Sequence, residues 1–481
     1  MQSSALSSSE YEDLQGLVLS GYGNLHCSRF VFLRIVDPPI AREWLRALVP
    51  AISTSAYRPK SLPKPHTAIN IAFTWRGLRA LDLQADALNA FPREFQQGMA
   101  GGERPRVLGD TEASDPANWD FGGPNRDPID IALLLYGETD RELVPLYSAQ
   151  LSTFEAGGVK EVYSQDTGRI SEKEPFGFRD GISQPFIAGS FGAVPTGQTP
   201  IKAGEFLLGY FNEYDNVTPS PVVPATADPG NLLTPVDGTA TRAFGRNGSY
   251  LIFRKLAQNT HGFEKFAREQ AALDEQPPSE QHVKWVKAKM VGRWPDGAPL
   301  VLSPNAEDHA LGADPKRNND FNYMDADPNG FRCPVGSHIR RSNPRDSLPP
   351  NPAASIGLSQ KHRLLRRGRH YEDHNRTDTW DANGVEHGLC FIALNADIQR
   401  QFEFVQQTWI NSPKFNGLFD NKDPLVGDND GTGHMTIQAS PVRRHLNGIP
   451  RFVQTRGGEY FFLPSMRALR YLASPIQKAT S

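Results

Sequence analysis

Four short stretches hold residue types suited to proton or redox chemistry. The first is EPFGFRDGISQP, residues 174–185. It sets Arg179 and Asp180 between Gly177 and Gly181, and Pro175 and Pro185 fence it. Glycine has no Cβ, so the backbone can turn sharply there and approach a flat ligand closely. A loop built this way pushes Asp180 forward on a rigid base. The plainer reading is a turn whose Asp caps nearby N–H groups, and both readings stand on this stretch alone. The second is FRCPVGSHIRRSNPRD, residues 331–346, where His338 follows the small residues Gly336 and Ser337 and precedes Arg340, Arg341 and Arg345. A neutral imidazole is a good axial ligand for iron. Guanidinium groups meet carboxylates, porphyrin propionates among them, in a two-pronged fit. For any single arginine, a solvated basic loop is the commoner role.

The third stretch is HRLLRRGRHY, residues 362–371, in which Arg366 follows Leu364 and Leu365 and would end a strand facing a pocket. Surface placement of all its arginines is the alternative. The fourth is HGLCFIALNADIQRQFEFVQQTW, residues 387–409. Its strand is apolar at nearly every position, so it is buried on both faces or lines an apolar cavity. Leu389 and Phe391, two residues apart, share a side, and ordinary core packing is the competing role for both.

These stretches must be placed by the surrounding elements. Runs 30–36, 67–74, 129–137 and 159–165 read as strands, with helical spacing over 41–50 and 140–154, the latter containing Pro145. The order is β-α-β-β-α-β. The second half repeats it: strands at 249–256, 362–368, 388–395 and 451–463, with helices at 262–273 and 396–410. Two such units predict an α+β fold of two ferredoxin-like domains with antiparallel sheets, each covered by helices on one face. The expected division is 1–217, carrying the glycine-flanked Asp180 loop, a Pro-, Thr- and Gly-rich linker over 218–242, and 243–481. The irregular passage 292–346 contains Phe, Tyr and Trp, which predicts an ordered loop wrapped around something.

Bulk composition removes several classes of function. The 481 residues carry a formal net charge of -3 and a pI near 6.5, which offers no footprint for a nucleic-acid partner. Apolar residues make up 38% of the chain, enough for sizeable cores. Cys27, Cys333 and Cys390 are far apart and form no CxxC pair, so neither a disulfide framework nor a structural zinc site is expected. No apolar run is long enough to span a bilayer, and the first residues lack the basic and apolar regions of a secretory leader. A cytoplasmic protein is the expectation; removal of a leader would leave secretion open.

Taken in order, GFRDGISQP, CPVGSHIRRSNPR, RLLRRGRHY and GLCFIALNADIQRQFEFVQQTW resemble the dye-decolorising peroxidases, in their larger, elaborated subgroup. The early DLQGLVLSGYGNL (13–25) and the tail 438–473 share the likeness, which thus extends over most of the chain. The resemblance implies two ferredoxin-like domains with haem b held in the C-terminal one. His338 would be the proximal iron ligand, Asp180 the distal acid of a GxxDG loop between Gly177 and Gly181, and Arg366 the distal arginine. A Pro is usual in the family near the place of His370, so Arg367 is the alternative register. Arg340 would contact the cofactor, and Leu389 and Phe391 would line the distal side.

Peroxide reduction needs the O–O bond split heterolytically, with a proton moved from one oxygen to the other, which leaves as water. An ionised Asp180 would carry that proton, and Arg366 would stabilise the developing charge and keep the acid ionised. A carboxylate hydrogen-bonded to His338 would strengthen the ligand's donation to iron, and Glu403 and Asp397 are the candidates. Bulky donors would deliver electrons through a surface aromatic or the haem edge; Trp380, Tyr371 and Trp409 lie near the motifs, with packing as their ordinary role. The implied partners are hydrogen peroxide and organic electron donors, with no nucleic acid or membrane. The rival readings are a haem carrier without turnover, which needs neither Asp180 nor Arg366, and a metal-free interaction protein.

Overall fold

The computed structural model describes residues 3–59, 61–168, 171–374, 376 and 384–475. The strands of the N-terminal half are β1 (Cys27–Ile35), β2 (Thr67–Phe73), β3 (Ile131–Gly137) and β4 (Val159–Thr167). The expected linker carries a small sheet of β5 (Val222–Pro224), β6 (Thr234–Pro235) and β7 (Thr241–Ala243). The C-terminal half follows with β8 (Ser249–Gln258), β9 (Leu365–Arg366), β10 (Arg369–Asp373), β11 (Glu386–Asn395), a hairpin of β12 (Gly433–Ile437) and β13 (Arg444–Ile449), and β14 (Val453–Leu463).

Each half lays its strands in one antiparallel order. In the first half β4 neighbours β1, then β3, then β2; in the second, β14 neighbours β8, then β11, then β10. Both orders follow from β-α-β-β-α-β connectivity. The two half-sheets do not stay apart. Phe73 of β2 pairs with Phe462 of β14 and makes them one sheet of nine strands. That sheet rolls until its outer strands meet, and just past β4 the Gly168 N–H donates to the His370 carbonyl of β10 (3.0 Å).

The roll explains why β3 is buried along its whole length. Inside lies an aromatic core in which Phe253 meets Phe30 and Phe32 edge-on, at ring separations of 5.2 and 5.0 Å, and Phe32 stacks on Phe461. Such pairs add to area burial through ring quadrupoles. Outside, the helices Pro38–Leu48 and Asp140–Phe154 cover the first half. The second of these starts at a capping box formed by Thr139 and Glu142, and Pro145 sits on its solvent side.

Three elements depart from the sequence expectations. The run 362–368 holds only the two-residue β9, and β10 follows after Gly368. The amphipathic helix after β11 is widened over Gln399–Glu403 and Val405–Ile410; Glu403 N–H reaches the Ile398 carbonyl and Asn411 N–H the Gln406 carbonyl, five residues back. The passage 292–346 is ordered and includes the short helices His309–Ala313, Tyr323–Ala326 and His338–Ser342. The three cysteines are buried and none is in a disulfide. Among the described residues no helix is long and apolar enough to cross a membrane.

Gly388 of β11 is packed closely against β8 and β10. A Cβ there would lie 2.2 Å from the Leu256 carbonyl oxygen and 2.4 Å from the Tyr371 ring. Gly388→Ala is expected to cost about 1–3 kcal/mol through overpacking, read as a lower denaturant midpoint with an unchanged m-value.

Candidate functional site

Alternation along the strands sends every second residue of β8, β11 and β14 outward from the roll. Leu256 and Gln258, Leu389 and Phe391, and Val453 and Thr455 line one wall of a cavity of about 330 Å³. Lys255 and Cys390, one residue out of step, face inward instead. Ile339 and the widened helix, through Phe402, Val405 and Ile410, supply further apolar wall. Six predicted residues, Asp180, Gly181, His338, Arg366, Leu389 and Phe391, therefore share one cavity.

His338 opens a short helix, with Ser337 at the N-cap position. Its Nδ1 donates to Asp423 Oδ2 at 3.0 Å. Asp423 is wholly buried; its Oδ1 accepts from the N–H groups of Leu425 (2.9 Å) and Val426 (3.0 Å). Burial pushes the imidazole pKa down, the Asp423 carboxylate pushes it up by more, and the net shift is upward. For Asp423 burial acts upward, and His338 and the backbone donors bring it below the usual carboxylate range. The partner of His338 is thus neither Glu403 nor Asp397. Glu403 is turned to Arg104 (2.7 Å) and Tyr460 (2.9 Å), and Asp397 caps its own helix and pairs with Arg400. Asp423 lies 85 residues beyond His338 in a loop with no periodic pattern, and the fold alone brings the two together.

Asp180 is half exposed, and its Oδ1 accepts from Gly181 N–H at 2.6 Å. The Arg366 guanidinium stands 4.0 Å from the same carboxylate. Arg366 keeps its register through the pairing of β9 with Ala393 of β11, and its backbone N–H donates to Gln184 Oε1 (3.1 Å) of the Asp180 loop. Arg367, the alternative, turns away to the carbonyls of Leu17 and Val18. Gly177 and Gly181 both adopt left-handed backbone, with φ of +92° and +79°, and a Cβ at either would meet nothing within 4 Å. Conformation, not space, requires glycine at both.

Arg340 does not reach the cavity. It is buried over the Tyr323 ring (4.3 Å) and pairs with Asp327 (3.3 Å) and the Cys333 carbonyl (2.9 Å). Arg345, five residues on in the same stretch, lines the cavity with Arg293 and Arg363. Arg293 and Arg345 donate to backbone carbonyls and to Asn319 Oδ1, and Arg363 to the Ser183 carbonyl. Among the described residues, none of the three lies within ion-pairing distance of a carboxylate. Burial, reinforced by repulsion from Arg345 and Arg366, holds Arg293 and Arg363 down at about 9. Three crowded cations without a counter-ion call for an anion. Of the aromatic candidates, Tyr371 is buried and donates to Glu386 (2.9 Å), and Trp409 is buried against Phe404; Trp380 lies outside the described residues.

An imidazole backed by a carboxylate, apolar walls and unpaired guanidinium groups fit an iron porphyrin with its propionates. Comparison with known proteins agrees. No protein-family model matches the chain. A dye-decolorizing peroxidase of Exidia glandulosa is 30% identical over 97% of this chain and 88% of its own length. The chain belongs to the dye-decolorising peroxidase family. The crystal structure of a DyP-type peroxidase from Auricularia auricula-judae is 28% identical, with a TM-score of 0.77 over 96% of this chain and 99% of that one. A dye-decolorizing peroxidase complex with 2,6-dimethoxyphenol is equally similar, at 28% identity and a TM-score of 0.77 over the same shares. Family membership makes the chain a haem peroxidase, an oxidoreductase acting on peroxide.

Asp423 gives the site a test. In Asp423→Asn the amide NH₂ must face either the His338 Nδ1–H or the N–H groups of Leu425 and Val426, which share one oxygen. Haem affinity is expected to fall about 10- to 100-fold, measured by titrating haem into the apoprotein and following the Soret band.

Proposed function

We propose that the chain holds haem b through His338 and reduces hydrogen peroxide with Asp180 as the distal acid-base group, oxidising bulky phenolic or dye-like aromatic donors. The carrying observation is the meeting of two pairs at one cavity: His338 with Asp423, and Asp180 with Arg366. Arg293, Arg345 and Arg363 would receive the propionates. When bound, haem supplies the electrons that reduce peroxide and draws their replacements from the donor. Asp180 Oδ accepts a proton from one peroxide oxygen and returns it to the other, which leaves as water. Arg366 faces the carboxylate and meets the charge on the departing oxygen. Asp423 holds the Nδ1 proton of His338, so that Nε2 is the free ligand atom. The related enzyme in complex with 2,6-dimethoxyphenol supports a phenolic donor class.

A haem carrier would not need the Asp180–Arg366 pair. Asp180→Asn is expected to lower peroxide-dependent dye bleaching by on the order of 10²- to 10⁴-fold, and Arg366→Leu by about 10²-fold, each with the Soret band retained. Full rates in both variants with haem bound would reject the peroxidase mechanism and leave the carrier.

The same roles set a pH dependence. Asp180 must be ionised to accept the proton, so activity falls at the acid limit. Oxidation of organic donors is helped by protons, so it also falls on the alkaline side. An optimum below neutrality is expected in steady-state bleaching, and a maximum well above pH 7 would contradict these roles.

A further inference from the structure

We propose that Glu174 is a positioning residue for the peroxide step, folding the 174–181 loop so that Asp180 faces Arg366; this deepens the reading of Asp180 as the distal acid-base group and rests on it. Glu174 sits in the cavity wall six residues before Asp180. Its Oε1 accepts from Phe178 N–H (3.0 Å), and its Oε2 accepts from Phe176 N–H (3.0 Å) and from Gln258 Nε2 (2.8 Å). Its own backbone closes the turn: Glu174 N–H donates to the Phe178 carbonyl (2.9 Å), and Gly177 N–H to the Glu174 carbonyl (2.8 Å). The left-handed Gly177 lies at the bend.

Among the described residues Glu174 has no cationic partner within ion-pairing distance, and burial pushes its pKa up. A carboxylate solvated only by neutral donors is a costly way to stabilise a fold. What it provides is convergence. One side chain pairs two backbone N–H groups of a tight turn and ties that turn to Gln258 on β8, whose outer face is the cavity wall. Phe176 and Phe178 are driven into the apolar cluster below, with Phe176 against Phe263 at 4.8 Å. Past them, Arg179 is pinned by its N–H to the Pro295 carbonyl (3.2 Å) and by its guanidinium to the Gly312 carbonyl (3.0 Å). Asp180 thus leaves a loop fixed at both its start and its tip.

The test compares wild type, Glu174→Ala, Glu174→Gln and Asp180→Asn as holoenzymes, by hydrogen exchange of segment 172–182 and by kcat/KM for peroxide and for an organic donor separately. In Glu174→Ala the segment is expected to exchange faster and peroxide kcat/KM to fall about 10- to 100-fold, with donor kcat/KM within about twofold of wild type. Glu174→Gln, whose amide oxygen can still serve one side of the turn, falls between the two and carries the test if the alanine variant does not fold. Unchanged exchange in the substituted protein overturns the proposal. Faster exchange with an unaltered peroxide rate, while Asp180→Asn is inactive, overturns it too and leaves Glu174 a purely structural residue. A fully active Asp180→Asn overturns the reading of Asp180, and the proposal with it.

Discussion

The buried hydrogen bond between His338 and Asp423 constrains the rest of the site. A carboxylate with no solvent exposure is costly unless every lone pair is met, and here it is met from three directions: by the imidazole and by the N–H groups of Leu425 and Val426. The Asn429 side chain holds the Asp423 carbonyl (2.8 Å), and Arg341 binds the carbonyls of Trp409, Ser412 and Asn421 around it. The loop therefore has little freedom to move Asp423, and Asp423 leaves the imidazole one tautomer and one direction. The widened turns over 399–410 belong to the same packing, since Phe402 and Val405 must reach the cavity while the Trp409 carbonyl meets Arg341.

The opposite electrostatic demand comes from the arginines. Arg293, Arg345 and Arg363 satisfy their N–H groups with neutral oxygens, which compensates hydrogen bonding but not charge. Burial lowers the pKa of all three, and repulsion from Arg345 and Arg366 adds to it at Arg293 and Arg363. A dicarboxylate ligand removes the imbalance. The protein is thus expected to be less stable without its cofactor than with it, through mass action on the folded state.

The parts legible in sequence are those with a local cause. Strand and helix periodicity marked both β-α-β-β-α-β units except β10, which lies just past the run 362–368, and flanking glycines marked Asp180, because their φ values demand glycine. His338, Arg366, Leu389 and Phe391 followed from motif resemblance and from alternation along β11. What escaped depends on long-range contact. Asp423 was missed for Glu403 and Asp397, which are closer along the chain to the apolar strand but serve other partners. Arg340 stays out of the cavity that Arg345 lines: both stand in one basic stretch, and only the backbone path after the short helix, with Arg345 at a φ of +53°, turns the second toward the cavity. The rolling of two half-sheets into one is written in no segment, since the Phe73–Phe462 pair looks like ordinary strand residues.

That rolling is what brings Asp180 and Arg366 together. Asp180 belongs to the chain leaving β4, and Arg366 to β9, just before β10. The Gly168–His370 bond joins these two edges, twelve residues before Asp180 and four after Arg366. Two further bonds, Arg366 N–H to Gln184 and Arg363 to the Ser183 carbonyl, stitch the loop to the strand beyond it. The ion pair itself, at 4.0 Å between partly exposed groups, contributes little to stability. Its geometry is therefore an outcome of closure and not a cause of it. A carboxylate from the first half and a guanidinium from the second face each other because the two outer strands of the sheet come together.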